Sequence, residues 1–224
     1  MTKQMKLLPK RRITPAERLD NLRSYDEEYI RLYGAVAGLD EVGRGPLAGP
    51  VVVACLLLPE SSAVLGVHDS KKLSEKQRTT LSLRLLEDAQ AVSYGIVDAQ
   101  DIDTYNIAVA TKRASWLAAE ELLGQANFVL TDAMPGLQLP IPHASMVRGD
   151  NISYRIASAS IVAKVYRDRM MQELDKEYPQ YGFAKHKGYG TKEHMEAILK
   201  HGPCAIHRRS FLKKLLARAE KERP

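Results

Sequence analysis

Gly38-Leu39-Asp40-Glu41-Val42-Gly43-Arg44-Gly45-Pro46-Leu47-Ala48-Gly49-Pro50 is the stretch on which the fold of this chain turns. Apolar residues lead into it at Ala35, Val36 and Ala37, and out of it from Val51 to Leu58. Two adjacent carboxylates therefore close one apolar strand, and an arginine between glycines separates it from the next. Acids at the end of a buried strand are costly unless something positive neutralises them: a metal ion, a phosphate-bound cation or an arginine. The glycines let backbone approach a ligand closely and permit turns closed to other residues. A simpler reading makes the stretch a polar turn with its acids exposed at the tip.

Working outward, Ala35–Val42 and Pro50–Leu58 read as two strands whose continuous apolar character predicts burial on both faces. The link between them is too short for a parallel crossover, so a purely parallel sheet is disfavoured. Ser74 and Gln77 have capping-box spacing and open a helix to about Ala89, with Leu81, Leu85 and Leu86 as its buried stripe. Ala91–Val97 reads as a strand. Asp103 is expected to cap a long helix to Leu123. Asn127–Thr131 is a short strand ending in Asp132, then comes a proline-rich loop, and Ser145–Val147 is an edge strand.

From Ile152 to about Lys176 runs the clearest helix. One stripe carries Ile156, Ala159, Ala163, Tyr166, Met170 and Leu174, and another face carries Ala157, Ile161, Lys164 and Asp168. Tyr178-Pro179 ends it. Consecutive strands followed by alternation predict an α/β domain, a mixed sheet flanked by helices. Residues 1–33 read as a basic N-terminal arm with a short helix from Pro15 to Tyr29, and Thr14 as its cap. Residues 34–203 form the main domain, and residues 204–224 a basic helical C-terminal segment.

The 224 residues are 45% hydrophobic, enough for a normal core, and the net charge of +6 suits a phosphate-rich partner. Lys3, Lys6, Lys10, Arg11 and Arg12 crowd one end. Arg208, Arg209, Lys213, Lys214, Arg218, Lys221 and Arg223 crowd the other. Cys55 and Cys204 stand far apart without metal-type spacing, so a reducing compartment fits. No apolar run approaches a membrane span, and the N-terminus has no apolar signal core. A cytoplasmic protein is expected. No feature demands a dimer, so a monomer is the default.

The acids gain meaning as a set. Asp40 and Glu41 end one strand, Asp132 follows another, and Asp168 lies on a helix face among small residues. Each has a bland alternative: Asp132 as a turn former, Asp168 as the partner of Lys164 or Arg169. Together they supply oxygen ligands at strand ends, where ligands gather in α/β sheets. Two Mg²⁺ ions about 4 Å apart are the device for in-line phosphoryl displacement, and the basic termini would draw in a polyanion. No zinc-protease motif, P-loop, dinucleotide fingerprint or nucleophile elbow competes. His143, His186 and His207 are candidates to touch substrate, but they read more simply as surface or cap residues. One geometric demand follows. Neighbours on a strand point to opposite faces, so Asp40 and Glu41 share a site only if the strand ends, bulges or twists at Glu41.

The motifs closely resemble those of bacterial ribonuclease HII, the type 2 ribonuclease H. They are the stretch from Gly38 to Val52, Asp69-Ser70-Lys71-Lys72-Leu73-Ser74, and Ala159-Ser160-Ile161-Val162-Ala163-Lys164-Val165-Tyr166-Arg167-Asp168. Tyr181-Gly182-Phe183-Ala184-Lys185-His186-Lys187-Gly188-Tyr189-Gly190-Thr191 and His207-Arg208-Arg209-Ser210-Phe211 complete the set. The resemblance implies a ribonuclease H-like fold and an endonuclease using Mg²⁺ or Mn²⁺. Its implied substrates are the RNA strand of RNA–DNA hybrids and single ribonucleotides embedded in duplex DNA. The implied cut is on the 5′ side of the ribonucleotide and leaves a 3′-hydroxyl and a 5′-phosphate. Asp40, Glu41, Asp132 and Asp168 match the family's metal-site acids, Gly43-Arg44-Gly45 its ribose-sensing loop, and Tyr189 the tyrosine beside the ribonucleotide–deoxyribonucleotide junction. Lys164, one turn before Asp168, is placed to reach a phosphate or support the acid, and Ser70 to hold DNA backbone. The family's Asp-Gly-Asn is replaced by Asp132-Ala133-Met134, which keeps the acid and loses a glycine and an amide. The alternatives are a hybrid-binding module that does not cut, and another nuclease of the same fold.

Overall fold

The structure, a computed structural model, describes residues 13–221. Lys3, Lys6, Lys10, Arg11, Arg12 and Arg223 of the two basic ends lie outside the described residues. The sheet is mixed, as the sequence predicts. Strands β1 (Val36–Val42), β2 (Val51–Leu57) and β3 (Ala91–Val97) pair antiparallel, while β4 (Phe128–Asp132) and β5 (His143–Met146) add in parallel beyond β1. The spatial order is β3-β2-β1-β4-β5, which puts the acid-bearing strand in the centre. Every residue of β2 is buried, in keeping with its unbroken apolar run.

Helices α1 (Pro15–Tyr33), α2 (Glu75–Asp88), α3 (Ala99–Tyr105) and α4 (Ile107–Glu120) precede β4, and α5 (Tyr154–Glu177) follows β5. Beyond α5 come α6 (Phe183–His186), α7 (Lys192–His201) and α8 (Arg209–Lys221). One sheet face packs Ala37, Leu39, Val53 and Cys55 against Ala110, Ala114 and Ala118 of α4. The other packs Ala54 and Leu56 against Ala157, Ile161 and Val162 of α5, with Leu81 and Leu85 of α2. Leu19 and Leu22 of α1 join that second core, and Asp26 accepts a hydrogen bond from the Arg155 amide at 3.0 Å. The helical part of the N-terminal segment therefore lies on the main body. It extends four residues past Tyr29, the expected end.

Gly38 explains how closely α5 seats on the sheet. A Cβ at that position would lie 2.1 Å from the Arg155 carbonyl oxygen, so only glycine lets the start of α5 rest directly on β1.

One expected helix is two. The long helix capped by Asp103 breaks at Asn106, whose φ is +68° and whose side chain accepts from the amides of Ala108 and Val109 at 3.0 and 3.2 Å. Asparagine tolerates the left-handed region, and its side chain offers the backbone an alternative to helix continuation. Asp103 lies inside α3. Its carboxylate instead caps α8, accepting from the amides of Arg209 at 2.6 Å and Ser210 at 2.9 Å. The second helix ends at Glu120 rather than Leu123.

Candidate active site

Strand β1 runs past its parallel partner. Its ladder with β4 stops at Leu39↔Thr131, whereas its ladder with β2 continues through Asp40↔Ala54, Glu41↔Val53 and Val42↔Val52. Of the end, bulge or twist demanded at Glu41, the ladder with β2 shows no bulge. The strand ends on one side only, which leaves Asp40 and Glu41 beyond the β4 edge while β2 holds them in register.

Asp40 is buried on the α5 face. Burial, with the Glu41 and Asp132 carboxylates beside it, drives its pKa well above the usual carboxylate range, against a hydrogen bond from Ser160. Ser160 Oγ is 3.0 Å from Ser70 Oγ. The Ser70 hydroxyl is thus buried behind Asp40 and is not presented to a DNA backbone, while Lys71 and Lys72 beside it are exposed. This corrects the expected surface role of that side chain. The pattern missed it because a serine in a short polar turn carries no mark of its depth.

The other acids have partners. Glu41 is paired with Arg44 Nη1 at 3.1 Å. Asp132 ends β4, and its Oδ1 accepts from the amides of Ala133 at 2.8 Å and Gly149 at 3.2 Å, so the altered loop still holds the acid. Asp168, buried on α5, takes a 2.6 Å ion pair from Lys164 Nζ. Burial lowers the Lys164 pKa despite that carboxylate. As these side chains stand, no three His, Cys, Asp or Glu among the described residues are grouped closely enough to share one ion. The donor set is nevertheless one that fits a hard cation: carboxylate oxygens, with one buried among like charges.

Gly43-Arg44-Gly45 and Tyr189 meet across a loop contact. Leu47 donates to the Gly188 carbonyl at 2.8 Å, and a Cβ at Gly45 would find only Tyr189 Cε1, at 4.0 Å. Tyr189 is 42% exposed, and Lys164 Nζ stands 5.9 Å from its ring centroid. Lys164 therefore links the Asp168 acid to the tyrosine loop. Gly43 has φ +91°, and a Cβ there would lie 2.3 Å from Arg167 Nε, so it has no substitute.

Arg167 lies on neither of the two faces read for this helix, and no sequence signal marks its depth. It is fully buried, and its guanidinium donates to the carbonyls of Pro50, Lys187 and Ala48 at 2.9, 3.0 and 3.1 Å. Arg208 is also fully buried, and nothing in a basic run marked it from Arg209. His186 and His207, expected at the surface or as caps, are buried around Phe183, together with His194. His143 is half-buried in β5.

The mixed sheet with helices on both faces defines a ribonuclease H-like protein. It is similar to the ribonuclease H2 structure from Pyrococcus horikoshii OT3 at 25% identity and TM-score 0.70, covering 84% of this chain and 99% of that one. The Bst-RNase HIII structure in complex with Mn²⁺ shares the fold, with TM-score 0.62 at 18% identity over 84% of this chain and 71% of that one. The sequence profile of ribonuclease HII matches residues 37–214. The ribonuclease HII of Caldanaerobacter subterraneus subsp. tengcongensis is 46% identical over 201 residues, 89% of this chain and 83% of that protein. The chain belongs to the ribonuclease HII family, and it is a metal-dependent nuclease of the ribonuclease H type. No helix among the described residues is long and apolar enough to cross a membrane.

Proposed function

We propose that this chain cuts the RNA strand of RNA–DNA hybrids and the 5′ side of single ribonucleotides embedded in duplex DNA, leaving a 3′-hydroxyl and a 5′-phosphate. The observation that carries the reading is the buried Asp40 carboxyl, crowded by Glu41 and Asp132 at the open edge of β1. Such a group is tolerated where a cation comes to it. Asp40, Glu41, Asp132 and Asp168 would hold Mg²⁺ or Mn²⁺. Two such ions would supply an activated water and charge neutralisation at the leaving oxygen. Lys164 and Arg44 hold Asp168 and Glu41 in place and put positive charge where the substrate phosphate must lie. The open side of Gly45 against the Tyr189 ring makes a cradle for a sugar, and the 2′-hydroxyl is the handle that tells a ribonucleotide from its neighbours. The protein works as a monomer in the cytoplasm.

The test is a labelled duplex carrying one ribonucleotide, incubated with Mg²⁺, with Mn²⁺ and with chelator, and the cut position mapped. One cut on the 5′ side of the ribonucleotide is expected, and Asp40→Asn should lower its rate more than about a hundredfold, beyond the loss typical of outer-shell metal partners. Tight binding without a cut would make the chain a hybrid-binding module. Cleavage of branched DNA alone would make it a different nuclease of the same fold.

A further inference from the structure

We propose that His207 and Arg208 form a clamp that fixes the ribose-facing loop, Gly43–Gly45, against the Tyr189 loop, and thereby sets the preference for a ribonucleotide. The inference rests on the sugar-reading role given above to those two loops. The two residues are neighbours in the chain and hold opposite sides of the same contact.

Arg208 takes the first loop. Its Nη2 donates to the Gly43 carbonyl at 2.6 Å and to Gly49 at 2.8 Å, and its Nη1 to Arg44 at 3.0 Å and Pro46 at 2.9 Å. Its Nε reaches Gly49 at 3.0 Å, and its amide donates to the Leu47 carbonyl at 2.9 Å. The guanidinium is thereby spent on main-chain oxygens of one turn. Burial with Arg167 close by pulls its pKa down to about 9, so it remains charged at neutral pH. A lysine offers one compact head with three donors and cannot reproduce this planar fork.

His207 takes the second loop through His194. His194 Nδ1 lies 2.9 Å from the Tyr189 carbonyl, which can only accept, so Nδ1 carries the proton. His194 Nε2 is therefore bare and accepts from His207 Nε2, 3.1 Å away. His207 Nδ1 is then bare and accepts from the Cys204 amide at 3.0 Å. This chain closes only when both rings are neutral. Burial lowers the pKa of each to about 4, which keeps them so. The donors run in one direction, from the Cys204 amide to the Tyr189 carbonyl. An isolated bridge between Ala48 and His207 stitches the two loops' supports together.

The full-length protein and its Arg208→Lys and His207→Asn variants test the clamp. Affinity is measured in Ca²⁺ for a duplex with one ribonucleotide and for the same duplex made wholly of DNA. Both variants should lose about tenfold in the ratio of the two affinities, the scale of one or two lost hydrogen bonds, with all-DNA affinity held within about twofold. A merely structural role would lower both affinities together, and that result overturns the clamp. Should Arg208→Lys fail to melt cooperatively, His207→Asn decides alone. A clear wild-type preference left intact in the folded variants also overturns the clamp. A wild-type ratio near one overturns the functional reading beneath it.

Discussion

Asp40 and Arg208 are both buried charged residues beside the Gly43–Pro50 turn, and the fold treats them in opposite ways. The guanidinium of Arg208 is surrounded by carbonyl oxygens that accept its protons, and Arg167 next to it is met in the same way. Asp40 faces the Glu41 and Asp132 carboxylates, with only the Ser160 hydroxyl and the Glu41 amide to offset them. The Gly43–Pro50 and Lys187–Tyr189 loops are thus held by satisfied charge, and the acid edge of β1 is left electrostatically poor. On the proposed function, rigidity serves a surface that measures a sugar, whereas crowded carboxyls serve a centre that draws in a cation. Asp40 and the Gly43–Pro50 loop that Arg208 holds are neighbours in the chain, so stability and reactivity are separated by side chain and not by distance.

Substitutions at the two regions should move stability in opposite directions. Arg167→Met leaves the carbonyls of Pro50, Ala48 and Lys187 buried without that donor. A loss of about 3 kcal/mol or more is expected, and a thermal melt should fall by roughly 6–12 °C. An unchanged melt would break the comparison. Asp40→Asn should instead raise the melting temperature in chelator by roughly 2–4 °C, although it removes cleavage. The sign follows from linkage. A carboxyl with a raised folded pKa destabilises increasingly as pH rises above its unfolded value near 4, so the gain should vanish in acid and grow as pH rises above about 4.

The smallest effect concerns the histidine chain. With folded pKa values near 4 against about 6.5 unfolded, neutral His194 and His207 contribute stability that is complete above pH about 6.5 and lost as pH falls toward 4. His194→Gln should flatten the fall of melting temperature between pH 7 and 6. That window is the clean one, because Asp26, raised by burial to about 6, tilts stability the other way below it.

Much of the fold was legible because its signals are local. The run from Ala35 to Leu58 predicts two paired strands, and they stand within one residue of their expected ends. Ser74 and Gln77 form the capping box that their spacing predicts. The break at Asn106 was misread because a regular apolar stripe continues across it, while one asparagine side chain redirects the backbone. Asp103 was read as a cap for the helix that follows it in sequence. It caps one that begins more than a hundred residues later.

The candidate site divides along the same line. Strand ends and helix faces marked Asp40, Glu41, Asp132 and Asp168 from the residues themselves. Their electrostatic inequality depends on what lies around them, and only Asp40 is left among its own kind. Arg208 was one basic residue in a basic run, and His207 a cap among dispersed histidines. Sequence alone pointed to the strands, to most of the helices and to the four acids as candidates, because periodicity and capping act over a few residues. Only the tertiary structure decided that the C-terminal segment reaches back to hold both the Gly43–Gly49 loop and, through His194, the Tyr189 loop. A buried guanidinium or a neutral histidine pair is defined by its partners, and those of Arg208 lie about 160 residues away in the chain.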